Sequence, residues 1–104
     1  MKEYTINLSK EAFDDLKSIY NYIEVEQNRP QAAYSVCGLI MNSIRSLNTM
    51  PFRYPLVKWE PFNTLGMRYF VVKYFYIFYL VVDEKNEVSI SRIVSSKRDL
   101  PSQF

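Results

Sequence analysis

The sequence specifies an α+β fold: a two-helix antiparallel hairpin packed on one face of a curled, mainly antiparallel sheet, in the order βααβββ. Apolar residues recur at helical spacing over two stretches that Pro30 separates. Strand-like runs rich in Val, Ile, Phe and Tyr lie on either side of them. A chain of 104 residues has room for one core, so residues 1–104 read as one domain in which helices and strands bury one another.

Tyr4, Ile6 and Leu8 alternate with Glu3, Thr5 and Asn7, the period of a half-buried strand. Ser9 offers an N-cap oxygen, and Glu11 suits the positive end of the helix that follows. Phe13, Leu16, Ile19, Tyr20 and Ile23 give that helix its apolar face and carry it to about Glu26. Asp14, Asp15, Glu24 and Glu26 are assigned to its outer, solvated side. Asn28-Arg29-Pro30 breaks it, and Pro30 fits the first position of a second helix, where its missing N–H is not needed. Ala33, Val36, Cys37, Ile40, Ile44 and Leu47 form the second stripe, and so short a link makes the two helices antiparallel. Gly38 costs this helix about 1 kcal/mol relative to alanine, which close packing against the first helix would explain.

Pro51 to Gly66 shows neither period and combines Pro51, Pro55 and Pro61 with Phe52, Tyr54, Trp59 and Phe62. So long a connection is expected to fold onto the body through its own aromatic side chains, with Leu56 to Trp59 a candidate short strand. Met67 to Val82 reads as two strands, 67–72 and 75–82, turning near Lys73-Tyr74. Asp83-Glu84-Lys85-Asn86 is the next turn, and Glu87 to Val94 the last strand, with Val88, Ile90 and Val94 on one face. The tail from Ser95 is polar and basic, and Pro101 stops a long helix there. The helices occupy one sheet face and leave the other for something else.

The composition excludes much chemistry. Two glycines, Gly38 and Gly66, cannot make a phosphate loop or a dinucleotide fingerprint. The absence of histidine removes histidine bases, Ser-His and Cys-His pairs and most zinc sites. Cys37 can form no internal disulfide, suits a reducing compartment, and on its apolar stripe reads as a buried structural thiol. No paired-carboxylate site can be argued, and neither a metal nor a cofactor is expected. Met1 to Leu8 has no signal-like run, and Met67 to Val82 is too short for a membrane span and carries Arg68 and Lys73, so a cytoplasmic protein is expected. Net charge is +2; residues 1–50 carry five Lys/Arg against six Asp/Glu, and residues 51–104 carry eight against five.

What remains are cations and phenols. Arg68, Lys73, Arg92, Lys97 and Arg98 come from the sheet and the tail, and Tyr69, Tyr74, Tyr76 and Tyr79 lie between them. Arginine forks match phosphate and carboxylate oxygens, and aromatic rings stack on bases or fill protein pockets. Arg92 shares strand parity with Val88, Ile90 and Val94, where a core side chain belongs. It either serves a function there or sits at the strand end, reaching solvent or pairing with Asp99.

Four features in order resemble the RelE/ParE superfamily of toxins from bacterial type II toxin–antitoxin modules. They are Ser9-Lys10-Glu11-Ala12 followed by Asp15-Leu16, Ile19 and Tyr22-Ile23; a helix closing on Leu47 and Pro51; Arg68 opening a strand before Phe75-Tyr76-Ile77-Phe78-Tyr79; and Val88 to Val94 running into Lys97-Arg98-Asp99. The resemblance runs from about Tyr4 to Leu100. It implies a toxin of plasmid-stabilisation type held inactive by a cognate antitoxin, which wraps a helix and often an added strand around it. Two activities occur in the superfamily: messenger RNA cleavage on the ribosome and poisoning of DNA gyrase.

The positions of the RelE-like cleavage residues correspond to Tyr69, Val71 and Tyr76 here, and only Arg98 matches. Ser95 stands where ParE-like members often carry a histidine before Arg-Asp. The resemblance therefore favours a gyrase inhibitor acting by binding, with Arg68, Arg92, Lys97 and Arg98 as target contacts. The alternative endonuclease would be metal-independent, act on the ribosome and messenger RNA, and use Arg98, Arg68, Lys73 and Tyr76. A non-toxic antitoxin-binding module is the third alternative, and a homodimer is compatible with all three.

Overall fold

The computed structural model describes residues 2–96. Strand β1 (Thr5–Leu8) leads into helix α1 (Lys10–Asn21), which widens into a π-helical turn at Tyr22–Glu26 before helix α2 (Pro30–Arg45). A long connection containing the single turn α3 (Phe62–Leu65) then reaches strands β2 (Arg68–Val72), β3 (Phe75–Val82) and β4 (Glu87–Ser95). The sheet order is β1-β4-β3-β2; β1 runs parallel to β4 and the other pairs are antiparallel, giving the expected βααβββ arrangement. Among the described residues, no helix is long and apolar enough to cross a membrane.

Local chemistry sets these boundaries. Ser9 Oγ accepts the Ala12 N–H at 3.0 Å and donates to the Ser91 carbonyl at 2.9 Å, so one hydroxyl starts α1 and ties it to β4. Pro30 occupies the first turn of α2. Lys73 and Tyr74 form a two-residue hairpin loop between the paired Val72 and Phe75, with Lys73 at φ 57°. Asn86, at φ 53°, closes the turn before β4, a conformation asparagine tolerates better than most residues.

The two sheet faces have separate cores. Ile40, Ile44 and Leu47 from the helical side bury against Phe70, Ile77, Tyr79, Val88, Ile90 and Ile93. On the opposite face Val57 and Met67 cover Phe78 and Val94, with Trp59, Phe62, Tyr69 and Tyr76 packed around them. The aromatic connection is therefore what fills the face the helices leave open. Leu56 makes one isolated bridge to Arg68, so the expected strand at Leu56 to Trp59 is reduced to that bridge.

Three expectations are corrected. Val88 and Ile90 face the helices, but Val94 belongs to the other face, because a register shift between Phe78 and Tyr79 moves Ile93 to the helical side. Gly38 does not mark close helix packing: it is exposed, and an added Cβ would meet nothing within 4 Å. Cys37 is half-buried rather than buried, though that burial still pushes its thiol pKa up.

Candidate functional site

The irregularity in β4 organises the site. Phe78 pairs with Arg92 while its neighbour Tyr79 pairs with Ile90, so Ser91 is the extra residue. A bulge leaves backbone groups without ladder partners, and Asp15 from α1 supplies one. Its Oδ2 accepts the Ile93 N–H at 2.9 Å and Arg92 Nε at 2.7 Å, and its Oδ1 accepts Arg92 Nη2 at 3.0 Å. The side chains of Arg92 and Asp15 are 26% and 17% exposed, so the bidentate pair is only partly screened by solvent. The adjacent carboxylate raises the Arg92 pKa further, keeping the guanidinium charged.

Asp15 is thus not on the solvated side of α1, where the sequence reading placed it. A signal was present: Asp15 lies three residues after Ala12 and four before Ile19, in phase with the buried stripe. The parity of Arg92 was informative, but its partner among the described residues is Asp15. Asp99, the expected partner, lies outside them, as do Lys97, Arg98 and Pro101.

Beside this pair runs a groove of about 1000 Å³ between the helical hairpin and the end of the sheet that carries the β2–β3 turn. Ile19, Ile23, Val36 and Leu39 line it from the helices, Phe75 and Ile93 from the sheet. Arg29, Lys73 and Arg92 bring positive charge to it, and Tyr22 and Tyr74 bring phenols. Among its described lining residues the carboxylate is Asp15, already committed to Arg92 and Ile93. An apolar trough with cations on it suits an amphipathic segment carrying acidic side chains. Arg29 was missed because it reads as part of a helix break.

The other candidates lie elsewhere. Arg68 is half-buried on the edge strand β2, where Nη1 donates to the carbonyls of Tyr54 at 2.6 Å and Phe52 at 3.2 Å. Its guanidinium also stands 5.2 Å from the centre of the Phe52 ring. Tyr76 packs on the opposite sheet face, 5.8 Å from Tyr69 and stacked 6.0 Å from Phe78. Arg92 and Lys73 therefore share the groove, whereas Arg68 and Tyr76 sit apart from it and from each other.

The fold has counterparts. Residues 6–100 match the model of the ParE toxin of the type II toxin–antitoxin system parDE. Among solved structures, the chain is similar to one from the chromosomal ParDE system of Pseudomonas aeruginosa, at 20% identity and TM-score 0.71, covering 91% of this chain and 98% of that one. It is also similar to a chain of the RelBE2 toxin–antitoxin complex of Mycobacterium tuberculosis, at 19% identity and TM-score 0.62, covering 89% and 98%. No curated protein matches it significantly. With the family match spanning nearly its whole length, the chain belongs to the ParE toxin family of type II toxin–antitoxin systems.

Proposed function

We propose that this toxin is neutralised by a cognate antitoxin seated along the groove beside Arg92, and that, when released, it inhibits DNA gyrase by binding. The ParDE and RelBE2 neighbours are toxin–antitoxin systems, and an apolar trough bearing Arg29 and Lys73 suits the amphipathic, acidic tail such a partner would offer. The observation that supports the choice of target is that, among the described residues, the nuclease candidates Arg68, Lys73 and Tyr76 do not come together. Phosphodiester cleavage by a 2′-hydroxyl needs cations on the phosphate and a proton-transfer group within hydrogen-bond reach of one another. Arg68 is engaged with the backbone at Phe52 and Tyr54, and Tyr76 lies on the far sheet face, so neither supports Lys73.

Inducing the chain in cells without an antitoxin is expected to stop growth, trigger the DNA-damage response and leave messenger RNA intact. Codon-phased cuts in messenger RNA would replace gyrase with the ribosome as the target. Normal growth at high expression, with tight antitoxin binding retained, would reduce the chain to a binding module.

A further inference from the structure

Left-handed backbone is costly for a residue with a Cβ, and asparagine bears it better than most because its short amide can bond the nearby backbone. The chain follows that rule at two turns. Before α2 the left-handed residue is Asn28, at φ 52°, and before β4 it is Asn86, at φ 53°. Lys85, next to Asn86, keeps an ordinary conformation. The β2–β3 turn breaks the rule, because Lys73 stands there at φ 57°. Two-residue hairpin loops favour asparagine or glycine at such a position, and lysine has no side-chain amide to offset the cost.

The fold gives no reason of its own for this lysine. Its side chain is exposed, and the ion pairs among the described residues, Lys2–Asp83 and Arg92–Asp15, leave it out. A charge placed for solubility has sites without this strain, as Lys85 shows. The turn is nevertheless firmly anchored. Val72 and Phe75 on either side are buried, and the Ser96 N–H donates to the Tyr74 carbonyl at 2.7 Å. Met50, the other left-handed residue with a long side chain, has its carbonyl held by Arg53 at 3.2 Å and does not line the groove. Lys73 does line it.

Strain kept at an exposed side chain points to a use outside the folded chain. The groove supplies the context. Arg92 is paired with Asp15, the carboxylate among the described lining residues, so the uncancelled charge comes from Lys73 and Arg29. Arg29 precedes α2, whose positive end has no acidic residue in its first turn. A partner segment laid along the groove therefore meets positive charge that no described lining carboxylate balances.

We propose that Lys73 is a specificity residue for the antitoxin, kept at a cost in fold stability so that its ammonium pairs with a carboxylate of the segment seated in the groove. Resting on the groove as the antitoxin's seat, this gives Lys73 the choice of an acidic segment over a neutral one of the same apolar pattern.

The test uses the full chain and two labelled peptides of about 20 residues, read by fluorescence anisotropy. Both carry leucines three and four positions apart on one helical face; one has glutamates on the other face, and its twin has glutamines. The glutamate peptide should bind more tightly. Lys73→Asn should weaken it about 2- to 5-fold, the range of a partly exposed ion pair, and leave the glutamine twin unchanged. Lys73→Arg should keep the preference, and Lys85→Gln should change neither peptide. The melting temperature of Lys73→Asn should rise, since the turn loses its strain. Leu39→Gln, on the groove wall, separates the two readings. If it weakens both peptides while Lys73→Asn weakens neither, or both alike, Lys73 is not the selector and the groove remains the seat. If Leu39→Gln changes nothing, or neither peptide binds, the groove is not the seat and the role of Lys73 falls with it. A lower melting temperature for Lys73→Asn would remove the strain from which that role follows.

Discussion

The Asp15 carboxylate joins α1 to β4 at a point where the sheet cannot satisfy itself. It accepts three hydrogen bonds, two from Arg92 and one from the Ile93 N–H, at a half-buried position. Asp15→Ala would leave a guanidinium and a backbone N–H without that acceptor, at a cost of about 2–3 kcal/mol. Asp15→Asn keeps one acceptor oxygen and should lose less. Urea unfolding of the two variants measures both, and equal losses would show that the remaining neutral oxygen contributes nothing and that the charged pair carries the whole effect. Part of this was legible in the sequence. Arg92 stood out by its parity with Val88 and Ile90, and the adjacent apolar pair Ile93-Val94 breaks the alternation, as a bulge does. Its partner was hidden because an acidic residue on an amphipathic helix is usually solvated, and only the helical phase of Asp15 says otherwise.

Single elements were more legible than the contacts between them, because the signals for Ser9, Pro30 and the strands are local in sequence. Gly38 shows the limit of that locality. Its helix propensity is a local fact; the reason for a glycine there is not, and close packing is excluded by the empty space around it. Gly38→Ala should therefore stabilise the protein by about 1 kcal/mol, through helix propensity and a less flexible unfolded chain. For a chain of this size the melting temperature would rise by about 4–8 °C. A fall would mean that this surface of α2 is covered in the folded protein. The connection from Pro51 to Gly66 was recognisable as packed from its aromatics, yet no period reveals which face it covers. That depends on β2 and β3 presenting Tyr69, Tyr76 and Phe78 on the side away from the helices.

Across the whole molecule, the connection and the helical core meet at Tyr79. This side chain sits in the central strand β3, fully buried, and its hydroxyl donates to the Pro51 carbonyl at 2.7 Å. Burial pushes the phenol pKa from its ordinary value near 10 up to about 12, despite the opposing charges of Arg68 and Arg53. Below the unfolded value both states keep the proton, so this group's contribution is intact. Between about 10 and 12 the unfolded chain releases it and the folded chain does not, so stability falls as pH rises through that window. Other tyrosines and the lysines also titrate there, and Tyr79→Phe isolates the one that matters. At neutral pH the variant should be less stable by about 1 kcal/mol, because the Pro51 carbonyl loses its donor. That deficit should shrink between pH 10 and 12 and can reverse, since phenylalanine has no proton to lose. Denaturant unfolding of both proteins across the alkaline range gives the difference curve. A deficit that stays constant with pH would mean that the Tyr79 hydroxyl reaches water in the folded state, and that the connection is not closed over the core at Pro51.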